Sequence, residues 1–412
     1  APGLAMRLGS TPWSAWLLGR TTVAALTLVL LFLGVLAFWD PGAPAVVFAG
    51  IALAVTPMAL FLAGSLSPSA EEVAGGVCFA AGLLAVLRDR PPPARAWVAV
   101  AAGGVVLAAS RSLGPYFVVV VAGVMVVAFG VKQAWRRVRG AWVAAAVATV
   151  LIGAACLANL VWEATQQPHT VWRLSLLEHL KWGRLPSLGQ EMVGVFGWLE
   201  FKLPHPTYWI WGILTLVLVG LAVAVGRWRE RVALVGMVVG VGLLGLAFHA
   251  VLPVETGFDV QGRYLLPIAV AIPLIAAEVL VRRRARLPAR ALGAFALTAA
   301  AVTAFLQGLA WYVNAHRYAV GTSGPRWFLG RAEWSPPGGW LVWIVLAGVG
   351  TACLGLGGWL AAAPRTLSPR ARRTGSGPVP TGELPSERPD SPAAGEYAPA
   401  GPPGGRSRPE AR

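Results

Sequence analysis

The segment DVQGRYLLP, residues 259–267, carries side chains well suited to binding a ligand. It leads from a polar loop into an apolar run that continues to Val281, so its polar side chains should lie at a membrane–water boundary. The planar guanidinium of Arg263 can donate paired hydrogen bonds to one phosphate, and Gly262 beside it lets a ligand approach the backbone. In the alternative interpretation, Arg263 snorkels to lipid headgroups and Tyr264 belongs to the interfacial aromatic belt.

Other ionisable residues fall on the same predicted face of the chain. Arg111 lies in ASRSLGPY, where Gly and Pro favour a tight turn, and Glu71 and Glu72 open a predicted helix, where acids are favourable in any case. Charged groups at bilayer depth usually face a cavity or a partner. The sequence therefore predicts one site for an anionic ligand, against the alternative that each residue only marks a helix end. Its candidate residues are Glu71, Glu72, Arg111, His249, Asp259, Gln261, Arg263 and Tyr264.

These residues are suited to binding a ligand, and they do not form a recognisable catalytic motif. The two acids could bind a divalent cation or a sugar hydroxyl, and the sequence does not separate these roles. The five histidines have no metal-ligand spacing, so no His-bound metal is predicted. The three cysteines, Cys78, Cys156 and Cys353, lie in apolar runs and are predicted to be small core residues. The sequence contains no phosphate-binding Gly-Lys loop, H-E-x-x-H or G-x-S-x-G, so no catalytic residue is assigned.

Composition places these residues in a membrane protein. The chain has 412 residues, of which 56% are hydrophobic and 13% charged, and its mean hydropathy is +0.65. Its apolar runs repeatedly reach the length that crosses a bilayer, which predicts an all-α polytopic protein. The net charge of +16 comes from basic residues that lie between the apolar runs and in the tail, as the positive-inside rule expects. A nucleic-acid partner is therefore not predicted.

Eleven apolar segments are predicted to span the membrane. The fourth is short, and Pro57 and Pro273 are expected to kink their helices. Four short loops that carry fifteen basic residues alternate with the other loops and are assigned to the cytoplasm as simple basic anchors. The segments are Thr21–Phe38, Ala43–Ala63, Ala70–Leu87, Ala96–Ala109, Pro115–Val131, Ala141–Trp162, Tyr208–Gly226, Val232–Leu252, Tyr264–Val281, Ala291–Val313 and Trp340–Ala362.

This topology predicts three regions. Residues 1–19 form an outer N-terminal segment and a predicted truncation point, because the alternation places Ala1 outside and the chain does not begin with Met. Residues 20–362 form the transmembrane helical domain, whose long outer loop, 163–207, contains an interfacial helix predicted at Val171–Leu180. Residues 363–412 are rich in Pro, Gly, Ser, Arg and Glu and are predicted to be a disordered cytoplasmic tail.

Three stretches, TPMALFLAGSLSPSAEE, GVFGWLEFKLP and VQGRYLLP, resemble the bacterial polytopic family catalogued as domain of unknown function 2142. The resemblance covers about Arg20 to Ala362. That family is similar to the C-type glycosyltransferases, which use a polyprenyl-phosphate sugar donor at the outer membrane face. The resemblance implies a helical bundle of that type and sugar transfer onto a cell-envelope glycan or lipid.

Two departures from the family pattern leave the catalytic centre incomplete. The families usually carry an acidic residue, acting as base or metal ligand, in the loop after their first helix. This chain has no counterpart of that helix and loop, in agreement with an N-terminal part that is missing. Where the family often has Asn-Pro-Asp, this chain has Ser67, Pro68 and Ser69.

Three functions follow from these observations. The first is a glycosyltransferase-like protein of the plasma membrane, in which Arg263 and Arg111 neutralise the donor phosphate and Glu71 or Glu72 contacts the sugar or a divalent cation. The second is a transporter or flippase of an anionic lipid or glycan, and the third is a non-catalytic scaffold. A transporter should carry charges in the middle of its spans. Mid-span charge is scarce here, with Glu278 near an inner end, which favours the enzyme. Its expected partners are membrane lipids and a polyprenyl-phosphate sugar.

Overall fold

A computed structural model of the chain describes residues 2–88, 91–166, 181–197, 199–256 and 260–363, with the backbone alone over 251–256. Residues Ala1–Ala363 belong to one compact unit. The α-helices are α1 (Pro2–Met6), α2 (Pro12–Phe38), α3 (Pro44–Ala54), α4 (Pro57–Ala63), α5 (Pro68–Val86), α6 (Ala94–Ser110), α7 (Gly114–Phe129), α8 (Val131–Gly140), α9 (Trp142–Gln166), α10 (Leu185–Gly194), α11 (His205–Val225), α12 (Trp228–Thr256), α13 (Leu266–Ala269), α14 (Ala271–Arg283), α15 (Ala289–Val320) and α16 (Gly339–Ala362).

One small hairpin separates α10 from α11. Strand β1 (Val195–Phe196) pairs antiparallel with β2 (Phe201–Lys202), with Val195 opposite Lys202. The turn between them begins at Gly197, whose φ of +67° suits a residue without a Cβ. The buried Tyr208 hydroxyl accepts from the Leu203 amide and donates to the Gly194 carbonyl, which ties the hairpin to the start of α11.

The protein is an all-α polytopic membrane protein, as its sequence predicts. Seven of the described helices are long and apolar enough to cross a bilayer, or up to nine if each bent pair is one span, so the count of eleven is not confirmed. Every predicted apolar segment contains helix, but α6 has only 17 residues and α14 only 13. The pair α3 and α4 bends by 65° at the break before Pro57, and α7 and α8 bend by 107°.

Helix α5 lies at the centre of the described helices. It is 89% buried over its apolar window, against 6% for α16 and 11% for α9. Small residues permit this close packing: a Cβ on Gly76 would lie 2.2 Å from the Pro267 carbonyl oxygen, and one on Gly82 would lie 2.7 Å from the Val100 nitrogen. Its 19 residues span about 28 Å at the usual helical rise, close to the thickness of a bilayer core.

A buried ion-pair network lies at the C-terminal end of α5. Glu278 has no exposed surface, and its two oxygens accept from Arg88 at 2.9 Å and from Arg282 at 3.0 Å. Arg88 also donates to the Phe38 carbonyl at 2.8 Å and lies 3.9 Å from Asp40. We call Asp40, Arg88, Glu278 and Arg282 the Glu278 cluster. The interpretation of the inner arginines as simple basic anchors is therefore wrong for Arg88 and Arg282, which hold helices together.

Other sequence predictions fare differently. The core assignment of the cysteines is right for Cys78, but Cys156 is half-buried and Cys353 is exposed. Helix α2 begins at Pro12, earlier than predicted, because Thr11 and Ser14 form a capping box there. The interfacial helix predicted at 171–180 and the tail after residue 363 lie outside the described residues, and the three-region division stays a prediction.

Candidate anion-binding site

Two arginines from distant parts of the chain lie against one tyrosine ring. The Arg111 guanidinium carbon is 4.2 Å from the centroid of the Tyr264 ring, and that of Arg263 is 5.4 Å from the same centroid. Both distances are within the range of a cation–π interaction. With Glu71 and Glu72, which follow Ser69 in the first turns of α5, these residues form what we call the Tyr264 cluster.

Local structure fixes Arg111 at the end of α6. Its carbonyl accepts from the Gly114 amide at 2.8 Å and from the Asn159 side chain at 3.2 Å. Its guanidinium donates to the Ser69 hydroxyl at 3.1 Å, which joins it to the first turn of α5. Helix α5 starts with Ser67 as N-cap and Pro68 in the first turn, the favoured place for proline. Arg111 is therefore joined to α5 by a hydrogen bond to a serine rather than by an ion pair with an acid.

The cluster contains polar atoms without protein partners. Glu72 is 1% exposed. One oxygen each of Glu71 and Glu72 and the Nε of Arg263 are buried and have no hydrogen-bond partner among the described residues. Such groups are costly to bury unpaired. A ligand that brings both an anionic oxygen and hydroxyl donors or a cation would supply the missing partners.

Helix α10 positions the segment that carries Arg263. Both oxygens of the buried Glu191 are engaged, one by the Arg184 guanidinium at 2.8 Å and the other by the Gly262 amide at 2.6 Å. Arg184 also donates to the Val260 carbonyl at 3.2 Å. A Cβ on Gly262 would lie 2.2 Å from the Leu188 carbonyl oxygen, so glycine is required for this approach. The segment then forms a single 3-10 turn, Gly262–Tyr264, before α13.

The family is decided by a match over most of the chain. A family model described as "Predicted membrane protein (DUF2142)" matches residues 1–272. This chain belongs to that family. The three stretches quoted above all lie within the match, which begins before the predicted Arg20 and ends before Ala362. The DUF2142 match includes every residue of the Tyr264 cluster and excludes Glu278.

Solved structures and curated proteins add little to this assignment. The crystal structure of ArnT from Cupriavidus metallidurans in the apo state matches with 17% identity and a TM-score of 0.38, covering 84% of this chain and 61% of ArnT. The chain thus spans less than two thirds of the length of that protein. No curated protein matches this DUF2142 chain.

The structure places the eight sequence candidates unequally. It brings Arg111, Arg263 and Tyr264 together, and a hydrogen bond to Ser69 joins Arg111 to the first turn of α5, which leads into Glu71 and Glu72. Gln261 is buried two residues before Arg263. His249 is half-buried in α12 and makes an interaction of its own. Asp259 lies outside the described residues. Within the part of the chain that is described, no group of three or more His, Cys, Asp or Glu side chains could hold a metal ion.

An apolar cavity of about 470 Å³ lies beside α13. Its walls come from the α3–α4 break, from α10 and α11, and from the residues that follow Tyr264. They include Thr56, Tyr208, Trp211, Leu266 and Pro273. The Thr56 hydroxyl donates to the Met192 carbonyl at 2.8 Å, which fixes the broken helix against α10. A cavity of this size and lining accepts a hydrocarbon chain rather than a polar group.

Sequence reasoning missed the residues that hold the site in place. Glu191 and Arg184 lie in the long loop, outside every predicted span, and their pairing with the 260–262 segment requires the folded chain. A local signal exists in LPSLGQEMVG, where proline in the first turn marks a helix start and a lone acid follows among apolar residues.

Proposed function

We propose that this membrane protein binds a polyprenyl-phosphate-linked sugar through the Tyr264 cluster and transfers the sugar to a cell-envelope glycan or lipid. The observation that supports this most strongly is the arrangement of two guanidinium groups against one tyrosine ring beside a buried carboxylate. Guanidinium groups suit phosphate, because their planar donors match two oxygens at once. The resemblance to C-type glycosyltransferases supplies the class of donor.

The roles of the residues follow from their charge and position. Arg111 and Arg263 neutralise the donor phosphate, and they also stabilise the charge that grows on the leaving phosphate as the bond to the sugar breaks. Fixed charges in a site that excludes water do this most effectively, because no reorganisation is needed. Glu72 or Glu71 accepts a hydrogen bond from a sugar hydroxyl or binds a divalent cation that accompanies the phosphate.

The lipid part of the donor has a place in the same proposal. The apolar cavity begins at Leu266, two residues after Tyr264. A prenyl chain in this cavity would leave its phosphate near the arginines, and the binding energy of the chain would hold the reacting bond in place.

Replacing Arg263 with alanine should lower consumption of a polyprenyl-phosphate sugar by about 100-fold, the usual cost of losing one charge-stabilising donor. The assay uses the full chain in lipid nanodiscs with a panel of synthetic polyprenyl-phosphate hexoses and pentoses, together with a membrane glycolipid extract as acceptor. Loss of sugar from the donor is followed by mass spectrometry.

The matched control is Arg331→Ala, an exposed arginine in the loop between α15 and α16, which is predicted to face the same side. It should leave donor consumption unchanged. If the Arg263→Ala variant and the wild type consumed the donor equally, the proposed role of Arg263 in neutralising the donor phosphate would be contradicted. If the wild type bound the donor tightly but did not consume it, the proposed transfer of the sugar would be contradicted.

The proposed site faces the outer side of the membrane, opposite to the start of α8, where Lys132 lies. In a chain whose three cysteines are replaced by alanine, we expect Leu66→Cys, one residue before the N-cap of α5, to react with a membrane-impermeant maleimide added outside intact cells. Lys132→Cys should react only after the membrane is opened. Both positions are exposed, so access depends on sidedness rather than burial.

Labelling of both cysteines from the same side would contradict the assignment of the site to the outer face. As a positive control, labelling is repeated after the membrane has been opened, and both variants should then react equally.

A further inference from the structure

A polar cavity lies at the opposite end of α5 from the Tyr264 cluster. Its volume is about 460 Å³, and we call it the Arg229 cavity. It lies where the α7–α8 bend meets the α11–α12 turn and the end of α14. Its polar lining consists of Gln133, Arg227, Arg229, Glu230, Arg282 and Arg283.

Positive charge predominates in this lining. Four arginines face one carboxylate, and that carboxylate is already bound: the buried Glu230 accepts from Arg283 at 2.8 Å and from the Arg227 amide at 2.6 Å. Arg282 is held by Glu278 and by the Leu87 carbonyl. Within the described ranges, no acidic side chain pairs with the guanidinium of Arg227 or Arg229. The cavity therefore keeps a surplus of positive charge.

The two inner arginines are held in fixed positions. Arg283 and Arg282 are only partly exposed, and each donates at least two hydrogen bonds to the protein, which leaves further donors of the same guanidinium groups for a ligand. The aromatic ring of Phe129 lies 4.0 Å from the Arg282 guanidinium carbon and closes one wall. A preorganised set of planar donors is the arrangement that recognises phosphate oxygens.

Apolar side chains beside the cavity open it toward the bilayer. Trp228 is 76% exposed, and Val131 and Val232 are 68% and 42% exposed. In a protein whose helices cross a membrane, such exposed apolar residues contact lipid. A basic recess next to a lipid-facing apolar surface fits a molecule with an anionic headgroup and hydrocarbon chains.

We propose that the Arg229 cavity is a binding site for a phosphate group, carried by an anionic lipid headgroup that enters from the bilayer. Arg227 and Arg229 meet the phosphate at the mouth, and Arg282 and Arg283 meet it from the inner wall. The acyl chains lie along the valines and Trp228. This site is separate from the Tyr264 cluster, so its occupancy does not depend on the function proposed for that cluster.

The test measures lipid binding by the purified full chain in detergent, using native mass spectrometry with phosphatidylglycerol or phosphatidylcholine. The double variant Arg227→Gln, Arg229→Gln should bind phosphatidylglycerol about tenfold more weakly than the wild type, the loss expected for charge-assisted hydrogen bonds. Phosphatidylcholine binding should not change. Arg290→Gln, an exposed arginine at the same predicted end but outside the lining, is the matched control.

Arg283→Lys separates local geometry from net charge. It keeps the positive charge next to Glu230 but removes the planar donors, and phosphatidylglycerol binding should fall several-fold. Equal phosphatidylglycerol binding by the wild type, the double variant and Arg290→Gln would overturn the site. If inorganic diphosphate bound to the cavity but phosphatidylglycerol did not, the proposal that a lipid carries the phosphate group would be overturned.

Discussion

Replacing Glu278 with alanine should destabilise the folded protein by about 3 to 5 kcal/mol, the cost of removing one partner from a buried ion pair. Glu278 is fully buried and holds both Arg88 and Arg282. Without it, Arg88, whose side chain is only 6% exposed, remains charged in the core, and among the described residues it keeps only the distant pairing with Asp40 at 3.9 Å. The measurement is unfolding of the purified protein in mild detergent with increasing denaturing detergent.

A second variant separates loss of the charge pair from loss of packing. The double substitution Arg88→Met, Glu278→Leu removes both charges and fills the space, so it should recover much of the stability lost in Glu278→Ala. Arg282 can turn toward solvent in this variant, because it is partly exposed. A double variant as unstable as Glu278→Ala would contradict the assignment of that loss to an unpaired buried charge.

Glu191→Ala should also be strongly destabilising, by about 3 kcal/mol, since it leaves Arg184 without its buried partner. The Gly262 amide loses its acceptor in the same variant. We therefore expect faster amide hydrogen exchange in the peptide that contains Gly262, together with weaker binding at the Tyr264 cluster. Unfolding in detergent and hydrogen exchange by mass spectrometry measure the two effects.

The matched control for this prediction is Glu200→Ala. Glu200 pairs with Arg317 at 2.9 Å, but its side chain is 54% exposed. Exposed pairs contribute little, so the change in stability should stay below about 1 kcal/mol and Gly262 should exchange as in the wild type. If the two variants behaved alike, Glu191 would have no special role in holding the 260–262 segment.

The sequence was sufficient to predict the membrane fold, and it grouped two arginines that the structure brings to one tyrosine ring. Apolar runs of bilayer length become helices, and the alternation of basic loops places Arg111 and Arg263 at one predicted face. In the structure both lie against Tyr264. The apolar runs and the alternation of basic loops depend only on local composition and on the order of segments, and both can be determined from a single sequence.

The features that the sequence did not predict depend on three-dimensional contacts. The ninth apolar run looks continuous, yet its first residue, Tyr264, belongs to a 3-10 turn, and a break at Val270 separates α13 from α14, so α14 is short. Arg88 and Glu278 are 190 residues apart in the chain. From the sequence alone, an arginine at the end of an apolar segment is interpreted as a lipid anchor, because its acidic partner is distant in the chain.

Helix α5 relates the two ends of the protein. The Tyr264 cluster contacts its first turns through Ser69, and the Glu278 cluster contacts its C-terminal end through Arg88. One end carries buried polar atoms without protein partners, whereas most polar atoms of the other end pair with each other. We therefore propose that the sugar donor binds at the first end, whereas the Glu278 cluster at the second end stabilises the fold.

We propose that Arg111 and Arg263 bind the same phosphate. The decisive experiment compares the affinities for polyprenyl monophosphate and for polyprenol, which lacks the phosphate, in nanodiscs containing the wild type, Arg111→Ala, Arg263→Ala, the double variant or Arg331→Ala. Each single cluster variant should bind the monophosphate at least about tenfold more weakly. The double variant should lose less than the product of the two single effects, because both residues contact one group.

Polyprenol affinity should stay constant across all variants, and Arg331→Ala should bind the monophosphate as the wild type does. Unchanged monophosphate affinity in both single variants, or an equal loss in Arg331→Ala, would contradict the binding of one phosphate by Arg111 and Arg263.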